Sequence, residues 1–172
     1  MGFVSEPIGP QHDCSGFDSG KPALDVWLRE HALHARQMRS AATFVWHRGD
    51  HVVIAYYSLA PHLIERAEIP PRIGRGSPRQ IPSILIARLA LEESLQGQGH
   101  GGALLADCLS RAVDASERVA ARLAVVDAID DDARRFYEHF GFRAIPETNR
   151  LLQKMSDIAA ALGGLTTHLR DG

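Results

Sequence analysis

Residues 96–102 read Gln96-Gly97-Gln98-Gly99-His100-Gly101-Gly102 and place four of the chain's fifteen glycines in seven positions. Upstream lies the apolar, strand-length run Ile81-Pro82-Ser83-Ile84-Leu85-Ile86-Ala87-Arg88-Leu89-Ala90-Leu91, and downstream Ala103-Leu104-Leu105-Ala106-Asp107-Cys108-Leu109 opens a helical pattern. Strand, glycine-rich turn and helix in that order form an anion cradle. Glycines let successive backbone N–H groups converge without Cβ clashes, and the helix N-terminus adds its positive dipole end. A phosphate suits such a cradle. No Gly-Lys-Ser/Thr follows, so the spacing is not that of a P-loop. Gly97, Gly99 and Gly102 satisfy G-x-G-x-x-G, but a dinucleotide fold also needs an acidic residue at a strand end about 20 residues on, and Glu117 falls at a helix end.

The spacing Gln96-x-x-Gly99-x-Gly101 resembles the Q/R-x-x-G-x-G/A motif of the GNAT superfamily of N-acetyltransferases. The resemblance extends to Ala87-Arg88-Leu89-Ala90-Leu91 before it and to Ala133-Arg134-Arg135-Phe136-Tyr137-Glu138-His139-Phe140-Gly141-Phe142 after it. Phe17-Asp18-Ser19-Gly20-Lys21, with Leu24-Asp25 and Trp27-Leu28, is similar to one branch, the GNAT toxins of bacterial toxin–antitoxin pairs. The resemblance implies a mixed α/β (α+β) GNAT fold, with a mostly antiparallel sheet flanked by helices and splayed between the strands at 81–91 and 122–127. It implies acetyl-CoA as co-substrate and no metal. Gln96, Gly97, Gln98, Gly99, His100, Gly101 and Gly102 would hold the pyrophosphate, and backbone groups of Leu89, Ala90 and Leu91 the pantetheine arm. Two positions depart from the branch: Gly102 stands where an arginine is common, which removes a guanidinium from the phosphates and leaves CoA affinity either lower or supplied by Arg88, Arg134 or Arg135, and Ser19 stands where cysteine is frequent.

By pattern alone, Ala133, Phe136, Tyr137 and Phe140 form a helical apolar face. The family context instead makes Tyr137 the catalytic acid, since a phenol with a pKa near 10 carries a proton at neutral pH. No dedicated base is evident. An α-amine, with a pKa near 8, needs less help than a lysine near 10.4.

At 172 residues and 45% hydrophobic content the chain is expected to form a single domain over 1–172. No run of about 18 apolar residues suggests a membrane span, and the N-terminus lacks secretory features. Cys14 and Cys108 are far apart, consistent with a reduced cytoplasmic protein. The net charge of −2 argues against a general nucleic-acid binder, yet residues 21–80 carry nine basic against five acidic side chains. Seventeen of the nineteen basic residues are arginine, whose planar fork suits phosphate oxygens, a bias that a GC-rich genome equally produces. If the acceptor is an aminoacyl-tRNA, as the toxin resemblance implies, Arg29, Arg36, Arg39, Arg72, Arg75 and Arg79 are the expected contacts. A homodimer could merge two such faces, and a cognate antitoxin would be a further partner. A small-molecule or N-terminal acetyltransferase, or a non-enzymatic acyl-CoA sensor, would use the same cradle.

Further expectations concern local structure. Residues 3–8 form an edge strand, and a helix over 22–37, capped by Asp18 or Ser19, buries Leu24, Trp27, Leu28, His31 and Ala35. Residues 43–47 and 51–59 make a hairpin whose His47 and His51 are exposed turn residues, and one of Tyr56 and Tyr57 lines a cleft. Residues 61–80 are an irregular loop. Asp130 caps a helix at 131–139 that Gly141 ends, 142–145 and a weak 151–152 segment finish the sheet, and Gly163-Gly164 ends a terminal helix.

Overall fold

The computed structural model describes the backbone of residues 2–170 and the side chains of residues 2–163. Its strands are β1 (Val4–Pro7), β2 (Ala42–His47), β3 (Ala55–Glu65), β4 (Gln80–Leu91), β5 (Leu123–Asp127), β6 (Arg143–Ala144) and β7 (Arg150–Lys154). The helices are α1 (Pro22–Glu30), α2 (Ala32–Gln37), α3 (Pro71–Gly74), α4 (His100–Arg118), α5 (Asp131–His139) and α6 (Met155–Arg170). The seven strands make one sheet in the order β1-β2-β3-β4-β5-β7-β6. β4 and β5 are parallel, and β1–β2, β2–β3, β5–β7 and β6–β7 are antiparallel. The mixed, mostly antiparallel sheet with helices is the GNAT architecture expected from the sequence. The β4–β5 ladder runs only from Ser83↔Leu123 to Ile86↔Val126, although β4 continues to Leu91. Residues 87–91 lie outside that ladder, at the place where splaying was expected.

Two compact units are present, Met1–Ala60 with Ala87–Leu105, and Pro61–Ile86 with Ala106–Gly172. The core of the first gathers Ile8, Phe17, Leu28, Ala32, Val45, Val53, Tyr56 and Ala90. That of the second gathers Ile64, Ile69, Ile73, Ile81, Leu123, Val125 and Leu152. In β5 the consecutive residues Leu123, Ala124, Val125 and Val126 are all buried, which is why the strand reads as an unbroken apolar run rather than an alternating one.

Several local expectations are met. β1 is an edge strand, Asp130 accepts from the Ala133 N–H at 2.8 Å as the α5 cap, and Gly141 follows that helix at φ +96°. Others need correction. The 22–37 helix breaks at His31, whose φ of −126° is not helical, and His31 is exposed while Ala32 is buried in its place. Neither Asp18 nor Ser19 caps α1; Lys21 holds the N-cap position, and no side chain caps the helix. The turn after β2 is longer than a tight hairpin, because the Asp13 N–H donates to the His51 carbonyl (2.8 Å) and the Val53 N–H to the Asp13 carbonyl (2.9 Å). That exchange withdraws residues 51–53 from β3, while the Ile54 N–H still donates to the Trp46 carbonyl of β2 (2.9 Å). β3 instead continues through Pro61, which lies beyond the end of the β2 ladder at Leu59 and so breaks no bond in it. The segment 61–80 therefore contains strand, a 3₁₀ turn at Arg66–Glu68 and α3. Gln153 and Lys154 belong to β7, which pairs with the whole of β5. α6 runs on through Gly163 and Gly164, since glycine lowers helix propensity by about 1 kcal/mol but leaves the backbone N–H in place.

Candidate active site

β4 ends at Leu91, a 3₁₀ turn follows at Glu93–Leu95, and α4 begins at His100, three residues earlier than its apolar pattern suggests. Gly101 and Gly102 thus sit in the first turn of α4. Between the turn and the helix, Gly97 (φ +74°) and Gly99 (φ +85°) occupy the left-handed region. A Cβ built on either would meet nothing within 4 Å, so no protein neighbour requires glycine there. The requirement is conformational, and the space above is open. Left-handed residues set in a turn direct N–H groups into one concavity, and the start of α4 adds the N–H groups of its first turn. These residues fit the phosphates of an acyl-CoA.

Gln96 has a different task from its glycine neighbours. Its Nε2 donates to the Ser19 carbonyl at 2.9 Å and to the Leu91 carbonyl at 2.8 Å, tying the turn to the end of β4 and to the loop before α1. That loop is braced in turn. Ser19 donates through its N–H (3.0 Å) and Oγ (2.6 Å) to the buried Asp25 carboxylate, and the Glu93 N–H donates to the Asp18 carbonyl at 2.8 Å. The Ser19–Asp25 pair is a supporting element that the sequence gives only as part of the 17–28 likeness. The Leu91 carbonyl is thereby engaged, while residues 87–91 of β4 extend past the last rung of its ladder with β5, at Ile86↔Val126. Gln98 reaches back to the Ser94 carbonyl at 3.0 Å. His100 packs edge-on against Phe3, 5.3 Å between centroids, and Phe3 stacks on Trp46 at 5.2 Å.

Also on β4, the guanidinium carbon of Arg88 lies 3.9 Å from the centroid of the Trp27 ring. Trp27 stacks on Tyr56 at 6.1 Å, and the Tyr56 Oη donates to the Leu24 carbonyl at 2.7 Å. Tyr56 and Tyr57 are both fully buried, so neither lines an open cleft. Tyr57 stacks on Phe44 instead.

Tyr137 sits on α5 with 6% of its surface exposed, its ring edge-on to Phe136 (5.2 Å) and Phe142 (5.6 Å). Burial, followed by the neighbouring Cys108, pushes its hydroxyl well above the ordinary phenol pKa. It is therefore a protonated donor throughout the physiological range, and its hydroxyl has no partner among the described residues.

His47 is buried rather than exposed. Its Nε2 lies 2.6 Å from Glu6 Oε1, and the Nε2 of His12 reaches the same oxygen at 2.9 Å. The Gly49 and Gly9 N–H groups donate to Nδ1 of His47 and His12, each at 2.9 Å. Those bonds fix both rings as Nε2–H tautomers donating to Glu6. Glu6, His47 and His51 bring ligand atoms within 4.8 Å of one another. A metal on Nε2 would force the ring proton onto Nδ1, against the backbone N–H, so the cluster is a hydrogen-bonded knot pinning β1 to β2.

The six arginines considered for a polyanion are not equivalent. Arg29 donates to the Phe17 carbonyl (3.1 Å) and Arg36 to the Ile8 carbonyl, so both are partly committed to the fold. Arg39 is exposed at a left-handed position, φ +57°. Arg75 and Arg79 line a cavity of about 910 Å³ with Glu65, Arg66 and Glu68, and Arg79 is 3.9 Å from Glu65. Arg72 lines a separate cavity of about 260 Å³ with Arg143 and Lys154, two cations absent from the sequence-based set.

Residues 39–144 match the family profile of the acetyltransferase (GNAT) domain. The chain is 37% identical over 157 residues to a tRNA-acetylating toxin of Mycobacterium tuberculosis, covering 91% of this chain and 94% of the relative. It is similar to a tyrosine-to-phenylalanine variant of KacT, with a TM-score of 0.87 and 27% identity, covering 94% and 99% of the two chains. It is also similar to AtaT complexed with acetyl-methionyl-tRNAfMet, with a TM-score of 0.85 and 27% identity over 93% and 99%. A variant of AtaT bound to the C-terminus of the antitoxin AtaR and to acetyl-CoA aligns with a TM-score of 0.80 at 27% identity over 94% and 98%.

Proposed function

The chain belongs to the GNAT acetyltransferase family, and from that premise we propose that it is a toxin that acetylates the α-amine of aminoacyl-tRNA at the expense of acetyl-CoA. Acetyl-CoA supplies the acetyl group as a thioester. The N–H groups of the 97–102 segment receive its phosphates, and backbone groups of Leu89 and Ala90 and the Leu91 N–H align its arm. The acceptor nitrogen attacks the thioester carbonyl carbon, the C–S bond breaks, Tyr137 gives its phenolic proton to the departing sulfur, and the proton shed by the amine to water returns to the Tyr137 oxygen. An acetylated α-nitrogen is an amide and no longer a nucleophile, so the product tRNA cannot accept a growing peptide.

The observation that carries this reading is the pair of left-handed glycines opening on free space ahead of α4, in a chain alike over its length to a tRNA-acetylating toxin. The surface proposed to meet tRNA comprises Arg29, Arg36, Arg39, Arg72, Arg75 and Arg79. Arg39, Arg72 and Arg75, whose side chains bond to no other described residue, contribute most. In this reading the protein acts in the cytoplasm as a single catalytic domain, pairs as a homodimer, and is held inactive by a cognate antitoxin, as AtaT meets AtaR. The test is incubation with labelled acetyl-CoA and total charged tRNA. Label on the α-amine of the esterified amino acid is expected, and its absence, with label instead on small amines or protein N-termini, overturns the proposal.

A further inference from the structure

Arg88 lies on β4 on the same face as Ala90, which belongs to the core built around Tyr56 and Leu28. The side chain is half-buried, and burial lowers its pKa. Its guanidinium is held over Trp27, whose ring is set by stacking on Tyr56, and Tyr56 is anchored to the Leu24 carbonyl. Other partly buried arginines here have oxygen partners: Arg150 pairs with Asp127 (2.8 Å) and Arg134 with Glu138 (3.0 Å). Among the described residues, Arg88 has no carboxylate within ion-pair distance and no acceptor for any of its five N–H donors. A cation held in place on an aromatic ring, with its donor fork unpaired by protein, is positioned to receive an anionic group.

Its position selects the ligand. Arg88 precedes the end of β4 by three residues, roughly 10 Å at the rise of a strand, so it stands well back from the glycine turn that receives the donor's phosphates. On the proposed reading, to which this inference is tied, that stretch faces the acyl end of the donor, where the acceptor amine must arrive. We propose that Arg88 binds a backbone phosphate of the aminoacylated 3′ end, and so places the α-amine for attack. The planar fork suits two oxygens of one phosphodiester, and the cation–π contact keeps the fork oriented before the acceptor binds.

The test compares two acceptors: an aminoacyl-CCA trinucleotide, which carries phosphodiesters, and aminoacyl-adenosine, which carries none. Arg88→Met keeps an unbranched apolar stem over Trp27 and removes the charge. Its KM for aminoacyl-CCA should rise about 10- to 100-fold, the range for a lost charged hydrogen bond. KM for aminoacyl-adenosine and the Kd of acetyl-CoA should stay unchanged. The slope of log KM against log salt should fall by about 0.7, as for one single-strand phosphate contact. Arg88→Lys, which keeps the charge and loses the fork, should fall between wild type and Arg88→Met, and it carries the test alone if the methionine variant melts early. An equal KM rise for both acceptors, a weaker acetyl-CoA Kd, or an unchanged KM for aminoacyl-CCA overturns the assignment. Failure of the wild-type protein to acetylate either acceptor or charged tRNA instead overturns the proposed function, and this inference with it.

Discussion

Tyr137 keeps its proton because it is buried, and in the proposed reaction it must also surrender that proton to a sulfur. Tyr137→Phe removes the hydroxyl and keeps the ring against Phe136 and Phe142. A kcat lower by about 10²–10⁴ with an unchanged melting temperature is expected; equal activity, measured with charged tRNA, would make Tyr137 a packing residue. At Gly99 the φ of +85° with empty space around the Cβ position separates backbone strain from steric exclusion. Gly99→Ala strains the turn only, whereas Gly99→Glu also sets a carboxylate where phosphates belong. Calorimetry should show acetyl-CoA binding weakened by the first and abolished by the second, with circular dichroism unchanged in both. Equal binding by wild type and Gly99→Glu would refute the cradle.

At the scale of elements, the second unit's strand and helix ends are set by identifiable bonds. The Asp130 cap fixes the start of α5 and with it the turn that carries Tyr137. Asp130→Ala should cost about 1 kcal/mol, a fall of roughly 2–4 °C in Tm for a chain of this size. β7 is clasped to β5 by Arg150, whose Nε and an NH2 nitrogen reach the two Asp127 carboxylate oxygens at 2.8 and 2.9 Å. Arg150 holds the Asp127 carboxyl below the usual carboxylate range. A depressed carboxyl stabilises the fold above its unfolded pKa near 3.9, and the benefit is lost as pH falls through the lower folded value. The pair is solvent-facing, so its worth is under about 1 kcal/mol. Acid titration should therefore show Asp127→Asn merging with wild type only once pH has fallen below the depressed folded value, and a difference that persists there would assign the effect to packing.

For the whole molecule, the decisive quantity is how a chain of net charge −2 gathers a polyanion. Each arginine contact with a duplex phosphate contributes somewhat under one unit to the salt slope. Arg72→Glu with Arg75→Glu should raise KM for charged tRNA, flatten the salt dependence by up to about two units, and leave the acetyl-CoA Kd alone. The same pair should relieve growth arrest in cells lacking the antitoxin. Persisting toxicity with an unaltered slope would show those arginines to be solvated surface.

What the sequence determined by itself was whatever is local. Four glycines between an apolar run and a helical pattern define a strand–turn–helix cradle, because backbone conformation and the helix dipole act within a few residues. The Asp130 cap and the Gly141 stop are legible for the same reason. What only the tertiary structure decided depends on partners distant along the chain. Gln96 matches the motif, yet its amide reaches Ser19, 77 residues away, and braces the turn. His47 looks like a turn residue until Glu6 and the Gly49 N–H define its ring, and His31 fits an apolar stripe until the helix breaks beneath it. Arg88 could be counted among the charges from the sequence. That it rests on Trp27 with its donors unfilled required β4 and α1 to be packed together, because periodicity records which face a side chain takes and not what waits there.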